Sequence, residues 1–183
     1  AWRATGFDDA TWKTGNGQLG YGDGDETTTI GYGPSATTKY ITTYFRKAIN
    51  ITNPSAFPSY SGTVKRDDGI VLYVNGSEVY RNNMPTGSIT NTTLASTAAS
   101  DDGNTAQNFT IPATAFVSGN NVIAVEIHQN AASSSDLSFD LQVTGTAAGA
   151  ATLTRGPYMN SALQNGIIIR WRTNVATNSK VSY

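Results

Sequence analysis

The clearest pattern along the chain is a short apolar run followed at once by a turn. Residues 70–74 read Ile-Val-Leu-Tyr-Val, and Asn75-Gly76 comes directly after them. A run this short and this rich in β-branched residues predicts a strand that is buried on both faces. Asn-Gly tolerates positive φ at both centres of a tight primed turn. We therefore predict a β-hairpin that returns through Val79 and Tyr80.

Three further segments carry the alternation of apolar and polar residues that is typical of strands. They are residues 40–51, 122–128 and 137–143. In the second and third segments every second side chain is apolar and faces a predicted core, and in the first Ile41, Phe45 and Ile49 point to one side. If the second and third of these strands pair as neighbours, Glu126, His128 and Asp140 can meet on the opposite face.

The remaining segments predict loops and short strands. Frequent glycines divide residues 1–39 into short pieces, and residues 82–107 form a long Thr/Asn/Ser/Ala stretch with few apolar anchors. Short strands resume at 108–111 and 113–116. No segment carries helical periodicity. The sequence therefore predicts an all-β protein, an antiparallel β-sandwich.

A change of composition marks a domain boundary near residue 148. We predict one domain over residues 1–147, a Gly/Ala-rich linker over 148–152, and the beginning of a second domain over 153–183. A sandwich of the fibronectin or immunoglobulin kind needs about 100 residues. The last segment is too short for one, so we expect a continuation of the chain or a partner to complete it.

Composition narrows the classes of function. Charged residues make up 14% of the chain, Cys is absent, and the sequence does not begin with Met, which together favour a processed, secreted or cell-surface protein. The net charge of −1 and the lack of a basic stripe argue against nucleic-acid binding. No apolar run approaches the roughly 20 residues of a membrane helix, so we expect no membrane insertion.

Several motifs of the first domain carry a resemblance. Residues 7–13 (FDDATWK), 66–76 (RDDGIVLYVNG) and 120–129 (NNVIAVEIHQ) resemble the galactose-binding-like jelly-roll modules of secreted bacterial proteins. The resemblance covers nearly all of residues 1–147. It implies a jelly-roll sandwich that is non-catalytic, often binds glycans, and commonly carries a structural calcium ion.

The tail resembles a different family. Residues 154–159 (TRGPYM), 167–173 (IIIRWRT) and 180–183 (KVSY) are similar to the opening strands of the fibronectin-like domain that precedes the catalytic domain of purple acid phosphatases. The resemblance implies that the parent protein is a secreted metallophosphoesterase. The metal-binding His and Asp motifs of that family are absent here, so no phosphatase chemistry is assigned to this chain.

Two groups of carboxylates are candidates for a Ca²⁺ site. Asp23 and Asp25 have the alternate acidic spacing of a hard-cation loop, although the spacing is not that of an EF-hand. The alternative is a solvated acidic turn.

The second candidate group combines early and late residues. Glu126 and Asp140 would be joined by Asp8 or Asp9 from the N-terminal segment, because related modules hold calcium between an early loop and late strands. The alternative is that these side chains make ordinary hydrogen bonds.

Asp67 and Asp68 precede the hairpin strand. Carboxylates at such a position often accept backbone N–H groups and fix a bend, and we favour this role over a ligand site. Aromatic side chains such as Tyr60, Tyr73 and Tyr80 could stack on sugar rings, but aromatic residues of a sandwich are more often part of the core.

Catalysis is not expected. His128 is the only histidine, and the Ser133–Ser135 run lies in a polar connector without a nucleophile elbow. Two hypotheses remain. The first is a non-catalytic, calcium-stabilised accessory module that binds a polysaccharide or cell-surface glycan. The second is a subunit of a filament or adhesive assembly, a homo-oligomer in which the C-terminal strands complete a neighbouring subunit.

Overall fold

The computed structural model describes residues 2–149, 153–163 and 166–174. The chain divides into two compact units, Ala1–Thr146 and Ala147–Tyr183. Within the described ranges, the only helical segments are two three-residue 3-10 turns, Pro54–Ala56 and Ala113–Ala115. In this part of the chain no helix is long and apolar enough to cross a bilayer.

The described residues of the first unit form short and medium strands. Their bounds are β1 Leu19–Tyr21, β2 Thr28–Thr29, β3 Thr42–Ile51, β4 Ser59–Arg66, β5 Gly69–Val74, β6 Ser77–Asn82, β7 Gln107–Pro112, β8 Gly119–His128 and β9 Leu137–Thr146. The second unit contains β10 Leu153–Leu163 and β11 Gly166–Thr173.

The strands of the first unit form two sheets, in the orders β2-β1-β9-β4-β7 and β3-β8-β5-β6. Every pair is antiparallel except the short β1–β2 pair. Apart from β2, each sheet contributes four strands, and successive strands belong to opposite sheets except for the β5–β6 hairpin, as in an eight-stranded jelly roll. The all-β sandwich expected from the sequence is confirmed.

The core lies between the two sheets and is formed by the alternate apolar residues of their strands. Ring contacts join the sheets directly, since the centroids of Phe45 and Phe139 are 4.4 Å apart and those of Tyr80 and Phe109 are 4.1 Å apart and stacked. The fully buried aliphatic residues include Val64, Ile70, Leu72, Ile111, Ile127 and Leu137. Burying side chains of this size contributes about 1.5–3 kcal/mol each.

The predicted hairpin is confirmed. All residues of β5 are buried, and the chain turns at Asn75 and Gly76 with φ values of 52° and 85°. The Asn75 amide also donates to the Oδ1 of Asn121 over 2.8 Å. Asn121 is fully buried, and its own amide nitrogen donates to the carbonyls of Val117 and Gly119. We call this end of the sandwich, with Asn75 and Asn121 at its centre, the amide end.

Two predictions about the strands are wrong. β8 pairs with β3 and β5, whereas β9 pairs with β1 and β4, so the two strands belong to different sheets. Glu126 and Asp140 therefore do not meet. The segment after Pro112 is a 3-10 turn rather than a strand, because the chain bends there to bury Phe116 at the edge of the core.

The outer face of the β3-β8-β5-β6 sheet is covered by loop segments. Trp2, Met84 and Ile89 pack on a second apolar cluster, which consists of Val71, Tyr73, Val122 and Ala124. Arg46 holds the N-terminal segment in place through hydrogen bonds to the carbonyls of Trp2 and Ala4.

The second unit is a β-hairpin in its described part. β10 and β11 pair in antiparallel register from Leu153↔Thr173 to Leu163↔Gly166, with shifts of register along the ladder. The predicted alternation of Ile167, Ile169 and Trp171 concerns side chains that lie outside the described residues, as do parts of the predicted linker.

Candidate metal centre

Acidic loops converge at the end of the sandwich opposite the amide end. The register brings the ends of the strands together there, because Tyr21 lies opposite Leu137 and Arg66 lies opposite Phe139. The loops that leave these strands, together with the long β6–β7 loop, carry a set of carboxylates that we call the carboxylate end: Asp23, Asp67, Asp68, Asp102 and Asp136.

Three of these carboxylates share one small volume. Oxygen atoms of Asp23, Asp102 and Asp136 all lie within 4.8 Å of one another. Asp136 is buried, and its Oδ1 accepts a hydrogen bond from the Ser135 hydroxyl over 2.6 Å. The Ser138 hydroxyl donates to Asp23 over 2.7 Å. The serines fix the carboxylates but carry no charge that would neutralise them.

Two glycines let the loops approach this closely. Gly22 and Gly103 have φ values of 109° and 66°, which L side chains rarely adopt. A Cβ atom on Gly22 would lie 2.7 Å from the Cβ of Asp136, and one on Gly103 would lie 2.7 Å from the Cβ of Ser138. A larger residue at either position would push a loop out of the cluster.

Burial and the neighbouring like charges raise the pKa values of the group. Burial, and then the charge of Asp68, raises the pKa of Asp67 to about 8. The pKa of Asp23 is also raised, first by burial and then by Asp136, and contact with Asp136 raises the pKa of Asp102. These shifts mean that the folded protein accommodates the full negative charge poorly when no cation is bound.

One arginine stands beside the group without neutralising it. The Nη1 of Arg66 lies 3.6 Å from the Oδ1 of Asp101 and has no hydrogen-bond partner although it is buried. The guanidinium donates through its Nε to Asn82 instead, over 2.8 Å.

Gln129 supplies an oxygen that no protein group satisfies. The side chain is fully buried, and its Nε2 donates to the backbone carbonyl of Asp136 over 2.6 Å and to the hydroxyl of Tyr21 over 2.9 Å. A carbonyl can only accept, so the amide orientation is fixed and Oε1 is left without a partner. An unsatisfied buried acceptor costs about 1–3 kcal/mol. Carboxylate and amide oxygens together form the donor set that Ca²⁺ prefers.

Among the predicted metal ligands, Asp23 lies in this cluster. Asp23, Asp25 and Glu26 also form a second, more exposed group of acidic oxygens. Within it, Glu26 accepts the backbone N–H groups of Asp23 and Gly24, and Asp25 accepts a hydrogen bond from Gln18 over 2.9 Å.

The structure does not bring the other predicted ligands together. Asp9 pairs with Arg46 at 2.8 Å, and Asp8 accepts the N–H of its neighbour Ala10. Asp140 accepts the N–H of the adjacent Leu141. Glu126 lies on the other sheet. In the described part of the chain, none of these four carboxylates belongs to a group of three potential ligands.

Asp102 and Asp136 were not among the candidate ligands predicted from the sequence. The sequence signals for these residues are weak. Asp102 stands in an Asp-Asp-Gly turn of a long loop, and Asp136 comes directly before a strand. The predicted bend at Asp67-Asp68 is confirmed for Asp68, whose two oxygens accept the N–H groups of Ala99 and Asn130, each over 2.7 Å.

His128 fastens the long loop to the sheet. Its Nδ1 lies 2.7 Å from the carbonyl of Thr93 and must donate to it, because a carbonyl only accepts. The Thr42 hydroxyl lies 3.1 Å from the same nitrogen but donates to the carbonyl of Asn91 over 2.9 Å. The hydroxyl proton is thus directed away from the imidazole, which is the opposite of what an activated nucleophile needs.

Glu126 completes this buried network. It accepts the hydroxyl of Tyr73 over 2.6 Å and lies 3.5 Å from the Nε2 of His128. Burial alone would raise the pKa of Glu126, but the His128 ring and the Tyr73 hydroxyl outweigh it and lower the pKa.

The three tyrosines considered for sugar stacking are not free surface residues. Tyr60 and Tyr73 are 4% and 2% exposed, and Tyr80 stacks on Phe109. The exposed aromatic side chains of the described residues are Tyr32, at 40%, and Tyr40, at 59%.

Comparison with known proteins finds a distant likeness among solved structures. No family model matches the chain, and no curated protein matches it. Among solved structures, the chain is similar to a crystal structure of β-D-mannosidase from Dictyoglomus thermophilum, with 9% identity and a TM-score of 0.34, over 73% of this chain and 19% of that one.

Proposed function

We propose that the first unit is a non-catalytic accessory module of a larger extracellular protein, that it binds glycans, and that calcium holds its loop end together. The calcium part is carried by the clustered carboxylates of Asp23, Asp102 and Asp136, together with the unpaired Oε1 of Gln129, whose Nε2 donates to the backbone carbonyl of Asp136. The glycan part is supported by the resemblance of residues 1–147 to galactose-binding-like modules and by the exposed tyrosines.

Calcium would act on folding rather than on a reaction. Asp23, Asp102 and Asp136 would hold the ion, and an amide oxygen such as the unpaired Oε1 of Gln129 belongs to the same donor set. These residues come from the β1–β2 loop, the long β6–β7 loop and the β8–β9 connection. A bound ion would therefore tie together loops that are distant in sequence.

The calcium part is tested by thermal and urea unfolding of the purified chain in EGTA, in Ca²⁺ and in Mg²⁺. Calcium is expected to stabilise by about 2.7 kcal/mol at a concentration 100 times its dissociation constant. Asp136→Asn should abolish this gain. Asp140→Asn is the matched control, because it removes an exposed carboxylate outside the cluster and should keep the gain. Equal stability of the wild-type chain in EGTA and Ca²⁺ would refute the calcium part.

The glycan part is tested by affinity gel electrophoresis with soluble xylan, β-glucan and galactomannan in the gel. Retardation by at least one of these polysaccharides is expected. No retardation by any of them would refute glycan binding while leaving the calcium test unaffected.

A second candidate function is supported by the hairpin of the second unit. In the described residues, β10 and β11 form a two-stranded sheet, and an isolated hairpin of two strands is only marginally stable in water. Strands from a second copy could complete it and build a filament or an adhesive homo-oligomer. Light scattering of the full chain tests this, since a monomer at all concentrations would exclude strand exchange.

A further inference from the structure

The exposed tyrosines of the first unit lie on one small loop. Residues 31–40 lie in the connection between β2 and β3, and this loop closes on itself because the N–H of Tyr40 donates to the carbonyl of Tyr32 over 2.8 Å. Nearer its tip, Ser35 and Thr38 form an isolated antiparallel bridge. We call Tyr32, Tyr40 and this loop the tyrosine platform.

Contacts with other residues fix the positions of the Tyr32 and Tyr40 rings. The Tyr32 ring meets the ring of Tyr21 edge to face, with centroids 5.5 Å apart. The Tyr40 ring lies against Gly33, where an added Cβ would be 3.3 Å from two ring atoms. Gly33 has a φ of 118°, so both the conformation and the space require glycine. Large apolar rings thus stay in solvent without collapsing onto the core.

Lys39 fixes the platform to the β8–β9 connection. Its Nζ lies 5.7 Å above the ring centroids of both Tyr21 and Tyr32, and it donates to the backbone carbonyls of Ser134 and Ser135. The lysine charge is therefore engaged by the protein, and it supports the rings as a cation–π partner.

The surroundings of the rings identify the chemistry of the ligand. Between Gly31 and Thr38 the loop has no charged residue, and its polar groups are the hydroxyls of Ser35, Thr37 and Thr38. Tyrosine offers a flat apolar ring and one polar tip. Such a surface matches a ring with an apolar C–H face and a rim of hydroxyl groups, which is a neutral pyranose.

The geometry points to the tyrosine platform as the glycan-binding surface of this module, with neutral polysaccharide chains stacking on Tyr40 and Tyr32. This inference rests on the proposed glycan-binding function and assigns that function to a particular surface of the module. The platform also has a link to the carboxylate end, because Tyr21 accepts the hydrogen bond of Gln129 over 2.9 Å. The rings are held before a ligand arrives, which reduces the entropy cost of binding.

The experiment uses the full chain and the polysaccharides of the gel assay. Tyr40→Ala should weaken retardation at least 10-fold in apparent affinity, and Tyr32→Ala should do the same. Tyr40→Phe, which keeps the ring, should retain most of the binding. Val117→Ala is the matched control, since Val117 is 52% exposed and lies next to the amide end.

The outcomes separate the two claims. If Tyr40→Ala keeps the wild-type retardation while its unfolding midpoint is unchanged, the platform is wrong and glycan binding stands elsewhere on the module. If the wild-type chain is not retarded by any of the polysaccharides, both the glycan function and the platform fail. A loss of binding in both alanine variants but not in Val117→Ala supports the assignment.

Discussion

The two ends of the sandwich both gather polar side chains from several loops, but they pair those side chains in different ways. At the amide end, the Nδ2 of Asn121 donates to two carbonyls, and its Oδ1 accepts from Asn75 and from the N–H of Val117. At the carboxylate end, Asp23, Asp102 and Asp136 face one another. At the amide end the protein's own groups satisfy the hydrogen bonds of Asn121. At the carboxylate end the protein does not neutralise the negative charge of the three carboxylates.

The difference shows where a ligand is needed. Buried amides can act as donor and acceptor at once, so a pair of asparagines closes a loop end without help. Ionised carboxylates only accept, and a cluster of them requires a cation or bound protons. When no cation is bound, a proton can neutralise one of these charges, and the pKa of Asp67 is accordingly raised to about 8.

The largest effect is expected at the amide end. Asn121→Ala removes a fully buried side chain with donors and acceptors all in use, and it should lower the free energy of unfolding by about 3 kcal/mol. Urea unfolding should show the same loss in EGTA and in Ca²⁺. Asn50→Ala is the control, because Asn50 is exposed at the same end and bonds only another side chain, so about 0.5 kcal/mol or less is expected. A loss that calcium reverses would contradict the division between the ends.

A smaller effect of the opposite sign is expected at the carboxylate end. Asp67→Asn mimics the protonated acid and removes one charge from the cluster, so the cation-free protein should gain about 1–2 kcal/mol at pH 8. Urea unfolding in EGTA measures the gain. A variant that is less stable than the wild type under these conditions would show that the ionised form of Asp67 is the one that the fold favours.

The smallest effect, per pH unit, is the pH dependence of the cation-free protein. The folded-state pKa values of Asp67, Asp23 and Asp102 are raised, so the folded state binds more protons than the unfolded state above about pH 4. Stability should therefore fall as the pH rises from about 4 to about 8, with a slope of at most about 1.4 kcal/mol per unit from the proton that Asp67 binds.

The contribution of Glu126 and the behaviour of the Asp67→Asn variant make the pH dependence more specific. Glu126, whose pKa is lowered, acts in the opposite direction, because its contribution is lost as the pH falls below about 4.5. The Asp67→Asn variant should have a flatter profile between pH 4 and 8 than the wild-type chain. Parallel profiles for the two proteins would remove Asp67 from the set of titrating groups.

The local elements could be predicted from the sequence because their causes are local. Asn75-Gly76 requires a tight turn wherever it occurs between strands, and the alternation from Leu137 to Val143 describes one buried face. The buried face of each strand was predicted correctly even where the neighbouring strand was predicted wrongly. A period of two tells which side of a strand is buried but not which strand lies beside it.

The candidate site could not be assembled in this way. Asp23, Asp102 and Asp136 come from loops separated by dozens of residues, and only the jelly-roll order of strands places those loops at one end. The pairing of Glu126 with Asp140 failed for the same reason, since it assumed that consecutive strands are neighbours. Gln129 carried no signal at all, because an unpaired oxygen is visible only after every other contact is known.

The closed loop from Tyr32 to Tyr40 has a consequence for the design of new binding modules. Its ends are joined by their own backbone hydrogen bond, and its tip pairs with itself through Ser35 and Thr38, so neither sheet depends on the identity of the residues between them. A library that randomises residues 34–38 can therefore leave the sandwich intact. The scaffold would keep its stability while its recognition is selected anew.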